Sequence, residues 1–290
     1  MKYIVPNLNP RGCVGHQFSN WLSARMLSVK YNLRFVHVPF HGRSKPYKTF
    51  LGLGRGHLRQ KDIPKGKRKP KLVQLPRVVK DNASVSHPRF VKTLGRQGNI
   101  LFRCARDQFI RTDWDNFGSI GDELKQSYWA QRSLNPVETS YDGSRLNVAI
   151  HVRRGDVTPA LAKRWTPDGF YVKLISNLRR VLPTETDYHL FSHGNRSRFA
   201  SFEKIPDLHF HINEDEFISL HHLVCADVLV TSKSNFSFIA SVLSSGFKLS
   251  IPFSVFWSDI PDYLPATEIS SKAEFDPAKL MAYVSQKLEA

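Results

Sequence analysis

"NVAIHVRRGD", Asn147 to Asp156, decides how the rest of the chain is read. Its first half is a run of apolar and β-branched residues that suits a buried strand. It then meets two adjacent arginines, a glycine and an aspartate. A strand that ends on paired cations has reached the edge of a sheet, where a parallel α/β fold meets its ligands. Side chains alternate across a strand, so Arg153 shares a face with His151 and Arg154 points the other way. Arg153 is then the arginine that reaches a ligand, and Arg154 braces the loop, with Asp156 as the nearest counter-ion. A guanidinium in this place suits a phosphate, because its planar fork gives two parallel charge-assisted bonds.

Outward from this stretch the pattern alternates. Strand-like runs fall at Tyr188–Phe191, Leu208–Ile212, Asp227–Thr231 and Lys248–Ile251. Helix-like runs separate them, at about Asp168–Val181, Glu214–Cys225 and Asn235–Leu243, with a last helix over Pro277–Leu288. Asn213 is read as the cap of the helix after Ile212, with Glu216 completing a capping box. Upstream, a strand at Lys2–Val5, the loop "PNLNPRGCVGHQ", a helix from Gln17 to about Lys30 and a strand at Arg34–Val38 form a second β-loop-α-β unit. The stretch 40–145 is harder to read, with a strand near Asn99–Phe102 and a helix near Asp122–Gln131. Alternation at this spacing predicts an α/β chain of doubly wound sheets. Two halves, 1–145 and 146–290, are joined through "SLNPVETSYDGSRL". A ligand cleft is expected between them, at the carboxyl ends of the strands.

A second motif supports the arginine site. In "ADVLVTSKSNFSFIASVLSSG", Ala226 to Gly246, a strand ends at Thr231-Ser232 and a helix begins near Ser234. Helix-start amides with nearby hydroxyls can hold a phosphate. The same serines can simply cap the helix.

At these residues the chain resembles the superfamily of α-1,2-, α-1,6- and protein-O-fucosyltransferases. "HVRRGD" looks like its signature, and "VLVTSKSNFSFIASVL" resembles its later serine-rich motif. "GCVGHQFSNWLSA" resembles its glycine loop, often G-x-G-N-Q, with Cys13 at the first glycine and His16 at the asparagine. The resemblance implies a GT-B fold, two Rossmann-like domains facing across a cleft, the first on the acceptor side and the second binding a nucleotide sugar. It implies inverting, metal-independent transfer, with fucose from GDP-fucose the first choice and a UDP-sugar such as UDP-xylose the second. The acceptor would be a hydroxyl of a glycan or glycoconjugate. Arg153 would meet the β-phosphate and help it leave, and His151 would lie by the nucleotide. Ser232, Ser234, Asn235 and neighbouring amides would hold the diphosphate. Ser192, His193 and Asn213 would lie near ribose and base. The loop of Gly12, Cys13, Val14, Gly15, His16 and Gln17 would line the cleft. Asp156 and His16 are the candidate bases. Asp156 is preferred, since His16 can also serve only to hydrogen-bond across the cleft.

Composition sets the competing readings. The chain of 290 residues carries a net charge of +17, with 41% hydrophobic and 12% aromatic residues. Such a charge draws anions of any kind. Part of it lies in Gly54–Leu72, a run read as an exposed loop. A basic nucleic-acid-binding protein is the rival of another class, but a stacking surface or groove-entering element is not evident. Nucleic acid is therefore not an expected partner. Arg154-Gly155-Asp156 also spells a cell-attachment tripeptide, at the end of a strand read as buried. Asp113-Trp114-Asp115 is a short metal-binding pattern that follows no clear strand. The pair His221-His222 sits on different faces of one helix. No metal site and no cofactor are expected. Cysteines number three and are scattered, which gives neither a disulfide framework nor a zinc spacing. No apolar run approaches the roughly 18 residues of a membrane span, and the first residues do not form a signal peptide. A soluble, cytoplasmic protein is the expectation.

Overall fold

The structure is a computed structural model that describes residues 1–63, 69–76, 88–104, 114–161, 163–252 and 266–289, with backbone only at 90 and 114–116. The chain divides into two compact units, Met1–Pro136 and Val137–Ala290. The segment from 137 to 145 belongs to the second unit. It is tied there by Tyr141, whose hydroxyl donates to the His222 carbonyl at 2.9 Å.

The first unit runs β1 (Lys2–Val5), α1 (Val14–Lys30), β2 (Arg34–His37), α2 (Tyr47–Phe50), β3 (Leu58–Arg59), β4 (Lys71–Gln74), α3 (Pro88–Leu94), β5 (Ile100–Arg103) and α4 (Trp114–Leu134). Its sheet is parallel, in the order β3-β2-β1-β5-β4. Two elements depart from the sequence reading. The basic run from Gly54 to Leu72 is not one loop. It holds β3 and the start of β4, short outer strands whose cations suit exposed edges. Helix α1 begins at Val14 rather than Gln17, so the last four residues of the expected Gly12–Gln17 loop are a first helical turn. Buried aromatics fill this unit. Trp21 packs edge-on to Phe35 at 5.1 Å, and its indole N–H donates to His37 Nδ1 at 3.0 Å. Helix α4 is longer than its apolar core implies. Arg25 of α1 holds it through Glu123 at 2.5 Å, and His57 holds the same carboxylate at 2.8 Å.

The second unit runs β6 (Leu146–His151), α5 (Asp168–Val181), β7 (Thr186–Ser192), β8 (Leu208–Ile212), α6 (Glu216–Cys225), β9 (Val228–Val230), α7 (Asn235–Leu243), β10 (Phe247–Ser250), β11 (Ala266–Glu268) and α8 (Pro277–Leu288). Its parallel sheet has the order β11-β10-β9-β6-β7-β8. The chain winds outward from β6 in one direction, returns, and winds outward in the other. The order therefore reverses between β6 and β9. Helix α5 buries Tyr171, Leu174, Ile175 and Leu178, spaced three, four and seven residues from the first. Each such side chain contributes about 1.5–3 kcal/mol on burial. They meet Val148, Ile150, Val152, Tyr188 and Leu190 of the sheet in one core. Gly246 enters β10 where a Cβ would stand 2.1 Å from the Ala226 carbonyl oxygen, so only glycine fits.

The cap of α6 differs from the sequence reading. Asp215, not Asn213, is the N-cap, and its carboxylate accepts from the amides of Phe217 and Ile218. Asn213 instead has φ +61°, a left-handed turn that asparagine tolerates. Its side chain is committed elsewhere, which removes the capping box.

Candidate functional site

The carboxyl ends of β6 and β9 meet at the reversal point of the second sheet, where a doubly wound sheet leaves a crevice. His151 ends β6, and its Nδ1 lies 2.8 Å from the hydroxyl of Ser232, just past β9. Burial, with the Arg153 charge beside it, pushes His151 down to about 3, so the imidazole is neutral. Phe236 covers it at 5.6 Å between ring centroids. Two residues on, Arg153 Nη1 donates to the Lys233 carbonyl at 3.0 Å, in the same turn. The alternation argument therefore holds: His151 and Arg153 both face the turn that starts α7.

That turn is organised by serines. Ser234 is the N-cap of α7, its hydroxyl accepting from Phe236 N. Ser237 is fully buried, accepts from the Ser232 amide at 3.1 Å, and donates back to the carbonyls of Ser232 and Ser234. The capping reading of the serines is the one observed. Ser234 caps, and the first-turn amides around Asn235 and Ser237 are those that a helix leaves without internal acceptors. The arginine just past β6 and the first-turn amides of α7 thus lie at the same sheet edge.

The two arginines divide the work, with different partners from those expected. Asp156 pairs with Arg153, at 2.8 Å to Nη2 and 3.3 Å to Nε, not with Arg154. That pairing holds the Asp156 carboxyl below its usual range. Arg154 is buried, with its guanidinium 3.7 Å from the centroid of the Trp165 ring. It donates to the Thr166 carbonyl at 3.0 Å and to Asp168, the first residue of α5. Between the arginines and the next strand, Gly155 has φ +72°, and a Cβ there would stand 3.1 Å from the His193 ring. The turns after β6 and β7 therefore touch.

The strand ends assigned to ribose and base are knitted together by the residues expected to bind. Ser192 Oγ donates to the Val152 carbonyl at 2.5 Å. Asn213 accepts from Gly194 N at 2.8 Å and donates to Gly194 O at 2.9 Å. Both side chains are used in holding β6, β7 and β8 in register at this edge. His193 stays exposed. Glu214 and Asp215 are also engaged, the first with His211 at 3.3 Å and the second with the α6 cap.

In the first unit, the residues Gly12 to Gln17 form the turn and first helical turn after β1. Gln17 is fully buried. It donates to the carbonyls of Gly12 and His41 and accepts from His41 N at 2.7 Å, so its role is to tie this turn to the loop after β2. Val14 and Gly15 are buried with it. Cys13 is exposed at the helix start, and the His16 ring lies against Gly12. Of the Asp-x-Asp pattern, Asp113 lies outside the described residues, and Asp115 falls in the first turn of α4.

Sequence reasoning missed Lys233, Ser237 and the cradle of Trp165, Thr166 and Asp168. The spacing of Ser232, Ser234 and Ser237 was a usable signal. The cradle of Arg154 had none, since it depends on contact across 14 residues.

No family model and no curated protein matches this chain. Solved fucosyltransferases do resemble it. POFUT1 in complex with GDP superposes with a TM-score of 0.49 at 12% identity, covering 84% of this chain and 95% of that one. NodZ from Bradyrhizobium gives 0.49 at 11% identity, over 84% and 94% of the two chains. A variant of Arabidopsis thaliana FUT1 in complex with GDP gives 0.45 at 15% identity, over 89% and 72%. Among the described residues, no helix is long and apolar enough to cross a membrane.

Proposed function

We propose that the chain is a GT-B glycosyltransferase that moves a sugar, with inversion and without a metal at the diphosphate, from a nucleotide sugar to a hydroxyl of a glycan or glycoconjugate. One observation carries this reading. At the point where the strand order reverses, Arg153, two residues past the end of β6, reaches the turn that opens α7, at Lys233. Cation and helix-start amides converging on one crevice suit a diphosphate.

The chemistry follows from charge flow. As the bond between sugar and phosphate breaks, positive charge builds on the sugar and negative charge on the leaving diphosphate. Arg153 and the α7 amides are aimed at the second of these. Removing one such donor typically costs about 3–4 kcal/mol of barrier. Arg153 rests on Asp156 and the Lys233 carbonyl. A phosphate would compete for the same fork, and Asp156 would then be released beside the reacting centre. His151, neutral and joined to Ser232, adds no charge of its own and fixes the turn. The acceptor proton goes to a base worth about 10²–10⁴-fold, with Asp156 and His16 the candidates. Asp156 must lose its pairing with Arg153 before it can act.

GDP-fucose is the proposed donor, with a UDP-sugar as the alternative. The grip on the diphosphate is blind to the base, so the choice falls to the ends of β7 and β8. Glu214 pairs with His211 and Asp215 caps α6, so either carboxylate would have to leave its partner to face guanine. Calorimetric titration tests this. GDP should bind at least about tenfold more tightly than UDP, a difference of roughly 1.4 kcal/mol. Equal or tighter UDP binding removes the fucosyl reading and keeps the glycosyltransferase. If neither diphosphate binds and Arg153→Ala changes nothing, the function itself is wrong.

A further inference from the structure

Away from the crevice, three side chains with metal-ligating atoms meet on one face of β7 and β8. Asp187 and His189 are two apart on β7 and so point the same way. His209 stands directly beside His189 in the parallel register. The ligating atoms of the three lie within 4.8 Å of one another. The rings of His189 and His209 stack at 4.7 Å.

His189 carries the argument. Only 3% of it is exposed, and its Nε2 is buried without a hydrogen-bond partner. A buried polar atom left in this way costs about 1–3 kcal/mol. Its other nitrogen is well served: Nδ1 lies 3.1 Å from His211 Nε2, and His211 Nδ1 lies 3.3 Å from Glu214. One set of tautomers satisfies the whole chain. His189 Nδ1–H donates to His211, whose Nδ1–H donates to Glu214. That set leaves a lone pair on His189 Nε2. A carboxylate relayed to the far nitrogen is the support that metal-bound histidines ordinarily have. Asp187 is prepared similarly, with Oδ1 held by Arg145 Nε at 2.7 Å and its second oxygen left for a ligand. The Tyr141 ring lies edge-on to His189 at 4.7 Å and shields it, while exposed His209 leaves an entry from solvent.

We infer that Asp187, His189 and His209 form a binding site for a late first-row divalent cation, zinc above all, which pins edge strand β8 to β7. Two imidazoles and one carboxylate suit that class of ion. Bonds of about 2.0–2.2 Å put ligand atoms roughly 3–3.5 Å apart, so the cluster must contract by up to about 1.5 Å. Exposed His209 is free to swing by that much. Solvent would complete the coordination. The site lies on the strands themselves, not at their carboxyl-terminal turns, so it acts on stability and leaves the diphosphate chemistry alone.

The test uses the full chain, stripped with EDTA and dialysed. Zinc chloride is titrated by calorimetry, cobalt(II) by visible absorption, and melting is followed with and without zinc. Wild type should bind one equivalent with a Kd below about 10 µM. At a hundredfold excess over that Kd, melting should rise by at least about 4 °C. His209→Ala, at an exposed position, should fold normally, weaken zinc binding at least about tenfold, and lose both the cobalt ligand-field bands and the melting shift. Asp187→Asn should do the same. The chain has 12 histidines, so scattered surface binding must be told apart. Zinc affinity and cobalt bands unchanged in His209→Ala would overturn the site, as would a wild type that takes up no zinc at about 1 mM.

Discussion

Arg153 and Arg154 are neighbours in sequence, and the structure predicts opposite phenotypes for their loss. Arg154 is enclosed, its side chain 1% exposed, between the Trp165 ring, the Thr166 carbonyl and Asp168. Arg154→Ala removes a buried partner and strands Asp168 and the carbonyls of Arg153 and Thr166. Breaking a buried pair in this way costs about 3–5 kcal/mol. Asp168 opens α5, so the helix dipole offsets part of the loss, and the lower end of that range is expected. In a unit of this size, about 2–4 °C of melting temperature follows each kcal/mol, which places the shift near 6–12 °C. Arg153 is different. Its partners are a turn carbonyl and Asp156, whose side chain is 68% exposed, and both can turn to water. Arg153→Ala should leave melting within about 4 °C, because a pair with one exposed partner contributes about 0–1 kcal/mol. Its effect should fall on turnover. Loss of one donor to the leaving diphosphate lowers kcat at least about a hundredfold, and Arg153→Lys, which keeps the charge but not the fork, should recover little. The assay pairs thermal melting of each variant with transfer kinetics and GDP titration. A folded Arg153→Ala protein with near-normal kcat would refute the assignment. So would an Arg153→Ala variant that melts as low as Arg154→Ala.

Further outcomes can be checked in the same preparation. EDTA, applied well below the melting temperature, should leave the transfer rate within about twofold, since arginine and amides neutralise the diphosphate. Abolition by EDTA with rescue by Mn²⁺ would return weight to Asp113 and Asp115, whose alanine variants should otherwise be mild. Asp156→Asn and His16→Ala should be compared for transfer and donor affinity: the base, once lost, slows transfer and spares binding, and two normal variants would exclude both residues. Stability should fall on acidification. His37 is pushed down to about 4 and His151 to about 3, each chiefly by burial, so both stay neutral in the folded units while the unfolded chain takes up protons near pH 6.5. Their contribution is complete above that pH and is lost as pH drops toward the folded values. By pH 5 each accounts for up to about 2 kcal/mol. Denaturant titration at pH 7 and pH 5 measures this, and His151→Gln should reduce the dependence of the second unit without abolishing it, since burial also pushes His189 down to about 3.

Local pattern was enough for much of this chain. Helices α5, α7 and α8 run over the residues expected from their apolar spacing, and β8 does too. These elements have strong periodicity and short-range end signals. The facing of His151 and Arg153 followed from strand alternation alone. What sequence could not supply was the choice among equally good local partners. Asp156 lies three residues from Arg153 and two from Arg154, and only the path of the loop under Trp165 decides which arginine it meets. Asn213 and Asp215 are both good capping residues. Tertiary contact with Gly194 draws Asn213 into a left-handed turn and leaves the cap to Asp215. The meeting of Asp187, His189 and His209 depends on the register of β7 against β8, a contact across 20 residues that no local spacing records. Residue type and periodicity act within a few residues along the chain. Register, burial and the partner that a charge finally meets are set by surfaces brought together only when the sheet closes.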